Sequence, residues 1–147
     1  MSNILIKQSE IILETKDKLS ALCNLTALIY ENYERINWVG FYFFKNGKLL
    51  LGPFQGKVAC TEIEIGKGVC GTAFKKRQLL NVADVHRFEG HIACDSASNS
   101  EIVVPLICDQ KIIGVLDIDS TDYRRFGYDD EDLFQNIADQ VARKLIY

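Results

Sequence analysis

The sequence predicts an α+β domain built on a largely antiparallel β-sheet, and three observations carry that prediction. Apolar residues recur at helical spacing at both ends of the chain. Two strand–turn–strand patterns occupy its middle. The turns between them are tight, whereas parallel strands need crossovers of a dozen residues or more. A length of 147 residues fits one domain spanning 1–147, with 48% hydrophobic and 25% charged residues, enough to bury a core without disulfides or metal.

The elements follow in order. Residues up to about 35 read as helical, with Leu19, Leu22, Cys23, Thr26, Ile29 and Tyr30 as the apolar stripe. From Trp38 the pattern turns aromatic and β-branched, and it ends at Asn46-Gly47, a strong hairpin signal; Lys48 to Leu51 returns as the second strand. Residues 59–65 alternate, with Cys60, Glu62 and Glu64 on one side, before a glycine turn and a short helix from about Val69 to Lys76. Residues 84–100 form a long polar loop carrying His86, His91 and Cys94, a length that in compact domains tends to be functional. A second hairpin joins 101–108 to 111–120 around Asp109-Gln110. The last helix starts near Asp129, with acidic residues in its first turn and Leu133, Ile137, Val141 and Leu145 as its buried stripe.

Charge and composition exclude several functions. Seventeen basic against twenty acidic residues provide no basic stripe for a phosphate backbone, so nucleic acid is not an expected partner. No apolar run reaches membrane-spanning length, and the first ten residues do not resemble a secretory signal, which predicts a cytoplasmic protein without membrane association. Five irregularly spaced cysteines in a reducing compartment read as core thiols, metal ligands or reactive groups. Cys23, on the helical stripe, and Cys108, at a strand end, read as packing residues.

Gly66-Lys67-Gly68-Val69-Cys70-Gly71 has the glycine spacing of a dinucleotide-binding turn. That spacing has meaning only after a buried parallel strand, and the preceding segment alternates charged with apolar residues between hairpins. The simpler reading is a tight turn that starts a helix. His86, His91 and Cys94 could ligate a metal, but paired cysteine knuckles are missing, and no metal is predicted. The carboxylates are more informative. Asp117 and Asp119 project from one face of a strand roughly 7 Å apart, while Gly114, Leu116 and Ile118 fill the other. Glu101 heads the apolar partner strand, and Trp38, Gly40 and Tyr42 share a face of their own strand. Acids in an apolar sheet are costly unless paired or protonated; the alternative is that both aspartates end the strand facing water. Cys94 in a polar loop, with Cys60 and Cys70 flanking the glycine turn, tips the balance towards thiol redox chemistry.

Five blocks carry a resemblance: Ile36-Asn37-Trp38-Val39-Gly40-Phe41-Tyr42, Leu51-Gly52-Pro53-Phe54-Gln55-Gly56, the glycine turn 66–71, Gly90-His91-Ile92-Ala93-Cys94-Asp95, and Gly114-Val115-Leu116-Asp117-Ile118-Asp119-Ser120. Together they resemble the free methionine-(R)-sulfoxide reductases, a family built on the GAF domain. The resemblance implies an antiparallel sheet with helices on one face and a loop-covered pocket on the other. It further implies that Cys94 is the nucleophile, that Cys60 resolves its sulfenic acid to a disulfide with Cys70 as second partner or relay, and that thioredoxin reduces the product.

By the same resemblance Glu101, Asp117 and Asp119 bind the substrate. A sulfoxide oxygen leaves only when protonated, so one acid should be held neutral and another ionised for the α-ammonium group. Trp38 and Tyr42 should pack around the thioether. Backbone N–H groups at 90–94 should hold the α-carboxylate. No bound cofactor is implied, only free methionine-(R)-sulfoxide and thioredoxin as partners, and the N-terminal helices offer a homodimer contact. The alternative is a non-catalytic GAF sensor of a small molecule, which would have no need of three cysteines around its pocket.

Overall fold

Side chains alternate across three central strands, and this alternation sorts the core into two layers. Val39, Phe41, Ile102, Val104, Leu106, Leu116 and Ile118 point to one face and pack against helices. Trp38, Tyr42, Val103 and Val115 point to the other. The computed structural model describes residues 2–90 and 97–147. In chain order the elements are α1 (Ser2–Ile12), α2 (Lys18–Asn32), β1 (Trp38–Lys45), β2 (Lys48–Gly56), β3 (Glu62–Glu64), α3 (Gly68–Lys76), β4 (Leu80–Val82), β5 (Ser100–Cys108), β6 (Lys111–Ser120) and α4 (Tyr128–Ile146), with one 3-10 turn at Val85–Arg87.

The strands form one six-stranded sheet in the order β3-β2-β1-β6-β5-β4, and every pairing is antiparallel. The predicted α+β class is therefore the observed one. Both hairpin turns use positive φ at their two central residues, Asn46 (54°) and Gly47 (80°), then Asp109 (50°) and Gln110 (68°). Such turns match the right-handed twist of the flanking strands. Helices α1, α2 and α4 cover the first face, and α3 packs on the second. Among the described residues no helix is long and apolar enough to cross a membrane.

The structure corrects several details. The helical N-terminus is two helices, broken before Asp17, whose carboxylate caps α2 by accepting the Ser20 N–H at 2.8 Å. The buried face of α2 is Ala21, Leu22, Leu25, Thr26 and Ile29; Leu19, Cys23 and Tyr30 are exposed. The sequence offers two overlapping stripes at helical spacing, and packing against α1 and the sheet selects the one through Leu25. Cys23 is consequently a surface thiol. Helix α4 begins at Tyr128 with Gly127 as its N-cap, two residues before the expected Asp129, and Asp130 reaches back to accept the Gly127 N–H at 2.8 Å. The second strand runs on to Gly56, and β4 is an edge strand too short to show a period.

Candidate active site

Strand register brings the three predicted acids together. Asp119 pairs with Trp38 on one side and with Glu101 on the other; Asp117 pairs with Gly40 and Val103. On the pocket face this makes two neighbouring rows, Trp38–Asp119–Glu101 and Gly40–Asp117–Val103. Glu101 is only 8% and Asp117 only 5% exposed, so these are not strand ends facing water. Helix α3 lays Cys70 over them, with its sulfur and the Glu101 and Asp117 oxygens all within 4.8 Å of one another. Trp38, Tyr42, Ala59, Lys67, Val69 and Ser98 are among the other residues that line the pocket.

Glycines make the space. A Cβ on Gly40 would lie 2.6 Å from the Trp38 ring and 2.4 Å from Phe54 Cβ. Its absence lets the indole lie over β1, stacked between Phe54 (5.3 Å) and Tyr42 (6.0 Å). Both aromatic residues also hold the segment after β2. Trp38 Nε1–H donates to Lys57 O at 3.1 Å, and the Tyr42 hydroxyl donates to Cys60 O at 2.9 Å. The glycine turn is closed by Gly66 N–H to Gly71 O (2.9 Å) and Gly71 N–H to Lys67 O (3.0 Å), with Gly66 and Gly68 at positive φ. It follows an antiparallel edge strand, which removes the dinucleotide reading.

Burial raises the Glu101 carboxyl well above the usual range, reinforced by the charges of Asp117 and Asp119 and by hydrogen bonds to both. Burial likewise pushes the Cys70 thiol up, with the charges of Asp117, Glu101 and Asp119 adding to it. The Tyr42 hydroxyl moves the same way, through burial first and then the charge of Asp117. Of the three acids, Glu101 is thus the one whose protonated form burial and its neighbours favour.

Cys60, half-buried, is disulfide-bonded, whereas Cys23, Cys70 and Cys108 are free thiols. His91 and Cys94 lie outside the described residues, and so does most of the segment expected to hold the α-carboxylate. His86 bonds Asn99 Oδ1 at 2.9 Å. Among the described residues, Cys70, Glu101 and Asp117 could offer a cation one sulfur and two oxygens, at a position where burial disfavours the charged forms of Cys70 and Glu101. The sequence reading missed Lys67 and Ser98. Lys67 sits between the two glycines already singled out, which was a usable signal; Ser98 is placed by Asn37 Nδ2–H donating to its Oγ at 3.1 Å, which no local pattern announces.

The GAF domain model matches residues 10–145. The free methionine-R-sulfoxide reductase of Escherichia coli (strain K12) is 53% identical over 86% of this chain and 77% of its own length. The chain belongs to the free methionine-R-sulfoxide reductase family. Solved members superpose closely. The fRMsr of Staphylococcus aureus in its reduced form gives a TM-score of 0.93 at 48% identity, covering 98% of this chain and 94% of that one. The free methionine-R-sulfoxide reductase of Neisseria meningitidis, solved in complex with its substrate, gives 0.94 at 38% identity, covering 99% and 88%. The family is one of oxidoreductases acting on sulfur.

Proposed function

We propose that this chain reduces free L-methionine-(R)-sulfoxide to methionine, with Cys94 as nucleophile and Cys60 as the cysteine that resolves it. The observation that carries the reading is the cluster of buried Glu101 and Asp117 with half-buried Asp119, walled by Trp38 and Tyr42, whose Tyr42 hydroxyl anchors the backbone of a disulfide-bonded Cys60.

The Cys94 thiolate attacks the sulfoxide sulfur while Glu101 delivers its proton to the oxygen. Methionine leaves, and the oxygen passes to Cys94 as a sulfenic acid. The Cys60 thiol then attacks that sulfur, forming the disulfide and releasing water. One sulfoxide and two thiols become one thioether, one disulfide and one water. A dithiol protein of the thioredoxin class returns two electrons and two protons by thiol–disulfide exchange. Asp117 and Asp119 hold the α-ammonium group, and the Trp38 face packs on the methyl and thioether. Reading the free ammonium group selects the free amino acid over a methionine sulfoxide residue within a chain.

The test is NADPH consumption in a thioredoxin-coupled assay with the separated epimers of free methionine sulfoxide. Turnover of the R epimer, abolished in Cys94→Ser, is the expected result. No turnover of either epimer by fully reduced protein overturns the enzyme reading and leaves a small-molecule sensor.

A further inference from the structure

The pocket carries the carboxyl groups of Glu101, Asp117 and Asp119, yet the amino acid proposed to enter it brings a carboxylate of its own. An anion placed among acids is repelled unless a cation or strong donors also face it. The sequence reading gave that task to backbone N–H groups at 90–94, of which only Gly90 is a described residue. Most side-chain donors in the described lining are already committed. Trp38 Nε1–H serves Lys57 O, the Tyr42 hydroxyl serves Cys60 O, and the Cys70 sulfur lies against the oxygens of Glu101 and Asp117. Two donors remain, Lys67 and Ser98.

Lys67 is the one cationic side chain among the described residues of the lining. Gly66 (φ 86°) and Gly68 (φ 63°) turn the backbone on either side of it. Two hydrogen bonds hold its own backbone, Lys67 N–H to Glu64 O at 3.1 Å and Gly71 N–H to Lys67 O at 3.0 Å. It stands at the N-cap of α3 without a side-chain capping bond, and its ammonium group has no ion-pair partner among the described residues. A fixed backbone thus delivers an uncommitted cation to the pocket. Ser98 is only 5% exposed. Its Oγ accepts from Asn37 Nδ2–H at 3.1 Å, and Asn37 is itself held by its backbone N–H donating to Asp119 O at 2.9 Å. The Ser98 O–H has no acceptor among the described residues, a costly arrangement for a buried hydroxyl unless a ligand supplies one.

We propose that Lys67 and Ser98 form a carboxylate subsite, so that the pocket reads both charged ends of a free α-amino acid. The inference deepens the reductase reading and rests on it for the identity of the ligand. Acids that bind only the ammonium group admit the N-terminal residue of a peptide, whose carboxyl carbon is tied up in an amide. A cation and a hydroxyl aimed at the carboxylate refuse it, because the amide offers no negative charge to offset their desolvation.

Calorimetry with free L-methionine-(R)-sulfoxide and its carboxamide tests this; the amide keeps the ammonium group and side chain but lacks the negative charge. The full chain carrying Cys94→Ser is the background, so that binding is read without turnover. The background protein should bind the acid about 10-fold or more tightly than the amide. Adding Lys67→Gln should weaken the acid about 10–100-fold and the amide about 2-fold at most, whereas Lys67→Arg should keep most of the preference. Ser98→Ala should reduce the preference about 2–10-fold, and Ser98→Thr should retain it. A pocket merely distorted by a substitution loses both ligands alike, so equal losses overturn the proposal for that residue. NADPH consumption by the wild type keeps two failures apart. Turnover of the R epimer combined with equal losses overturns the subsite alone. A preference for the acid that Lys67→Gln abolishes, without turnover of either epimer, overturns the reductase reading alone. Neither binding nor turnover of the free acid overturns both.

Discussion

Glu101 stands directly opposite Asp119 in the β5–β6 register, and both face the pocket. Two carboxyl groups facing each other across a sheet cannot both be ionised cheaply once buried. With Asp117 two residues along the same face, the arrangement favours a proton on Glu101. In the proposed mechanism, Glu101 would be the acid and the aspartates the ammonium-binding anions.

Glu101→Gln should lower kcat for the R epimer by about 100-fold, the range of a lost general acid. The same variant tests stability. A carboxyl whose folded-state pKa is raised stabilises the fold fully below the ordinary glutamate range, and that contribution is lost as pH rises through the folded value. Melting temperature should therefore fall as pH rises above the ordinary glutamate range in the wild type and fall less in Glu101→Gln. Parallel melting curves for the two proteins would show that Glu101 is already ionised at neutral pH.

Cys60→Ser should produce one methionine per enzyme and then stop, leaving a sulfenic acid that dimedone traps. Rapid-quench product counting with mass spectrometry of the adduct checks this. Continued turnover at the wild-type rate would move the resolving role away from Cys60.

Gly40→Ala should raise KM about 10-fold while destabilising the fold by about 1–3 kcal/mol, because the new methyl occupies the space of the Trp38 ring and the Phe54 Cβ. Trp38 fluorescence and chemical denaturation read the two effects separately. An unchanged indole spectrum with unchanged KM would mean that Gly40 does not set the position of that wall.

Arg125 serves as the control for effects away from the site. Its guanidinium lies 4.3 Å from the centroid of the Tyr33 ring, donates to Glu34 O at 2.8 and 3.1 Å, and pairs with Asp130 at 3.6 Å, pinning the start of α4 to the end of α2. Arg125→Ala should cost about 2 kcal/mol and about 4–8 °C in melting temperature with KM unchanged. A rise in KM would connect this clamp to the pocket.

The strands of the site were legible in the sequence because period-two alternation is a local property. Asp117 and Asp119 share a face wherever their strand lies, and so do Trp38, Gly40 and Tyr42. Helix faces were less legible. In α2 the stripes through Cys23 and through Leu25 both satisfy helical spacing, and only contact with α1 and the sheet buries one of them.

The sequence by itself determined the α+β class, the two hairpins, which residues carry acid and thiol, and the family to which their motifs point. Only the tertiary structure decided which of these groups meet. Register set Glu101 against Asp119 and Trp38 beside it, and the packing of α3 on the second face set Cys70 against Asp117. Strand pattern fixes the direction of a side chain locally. Its neighbours, its burial and therefore its proton affinity depend on segments dozens of residues away, which no local spacing encodes.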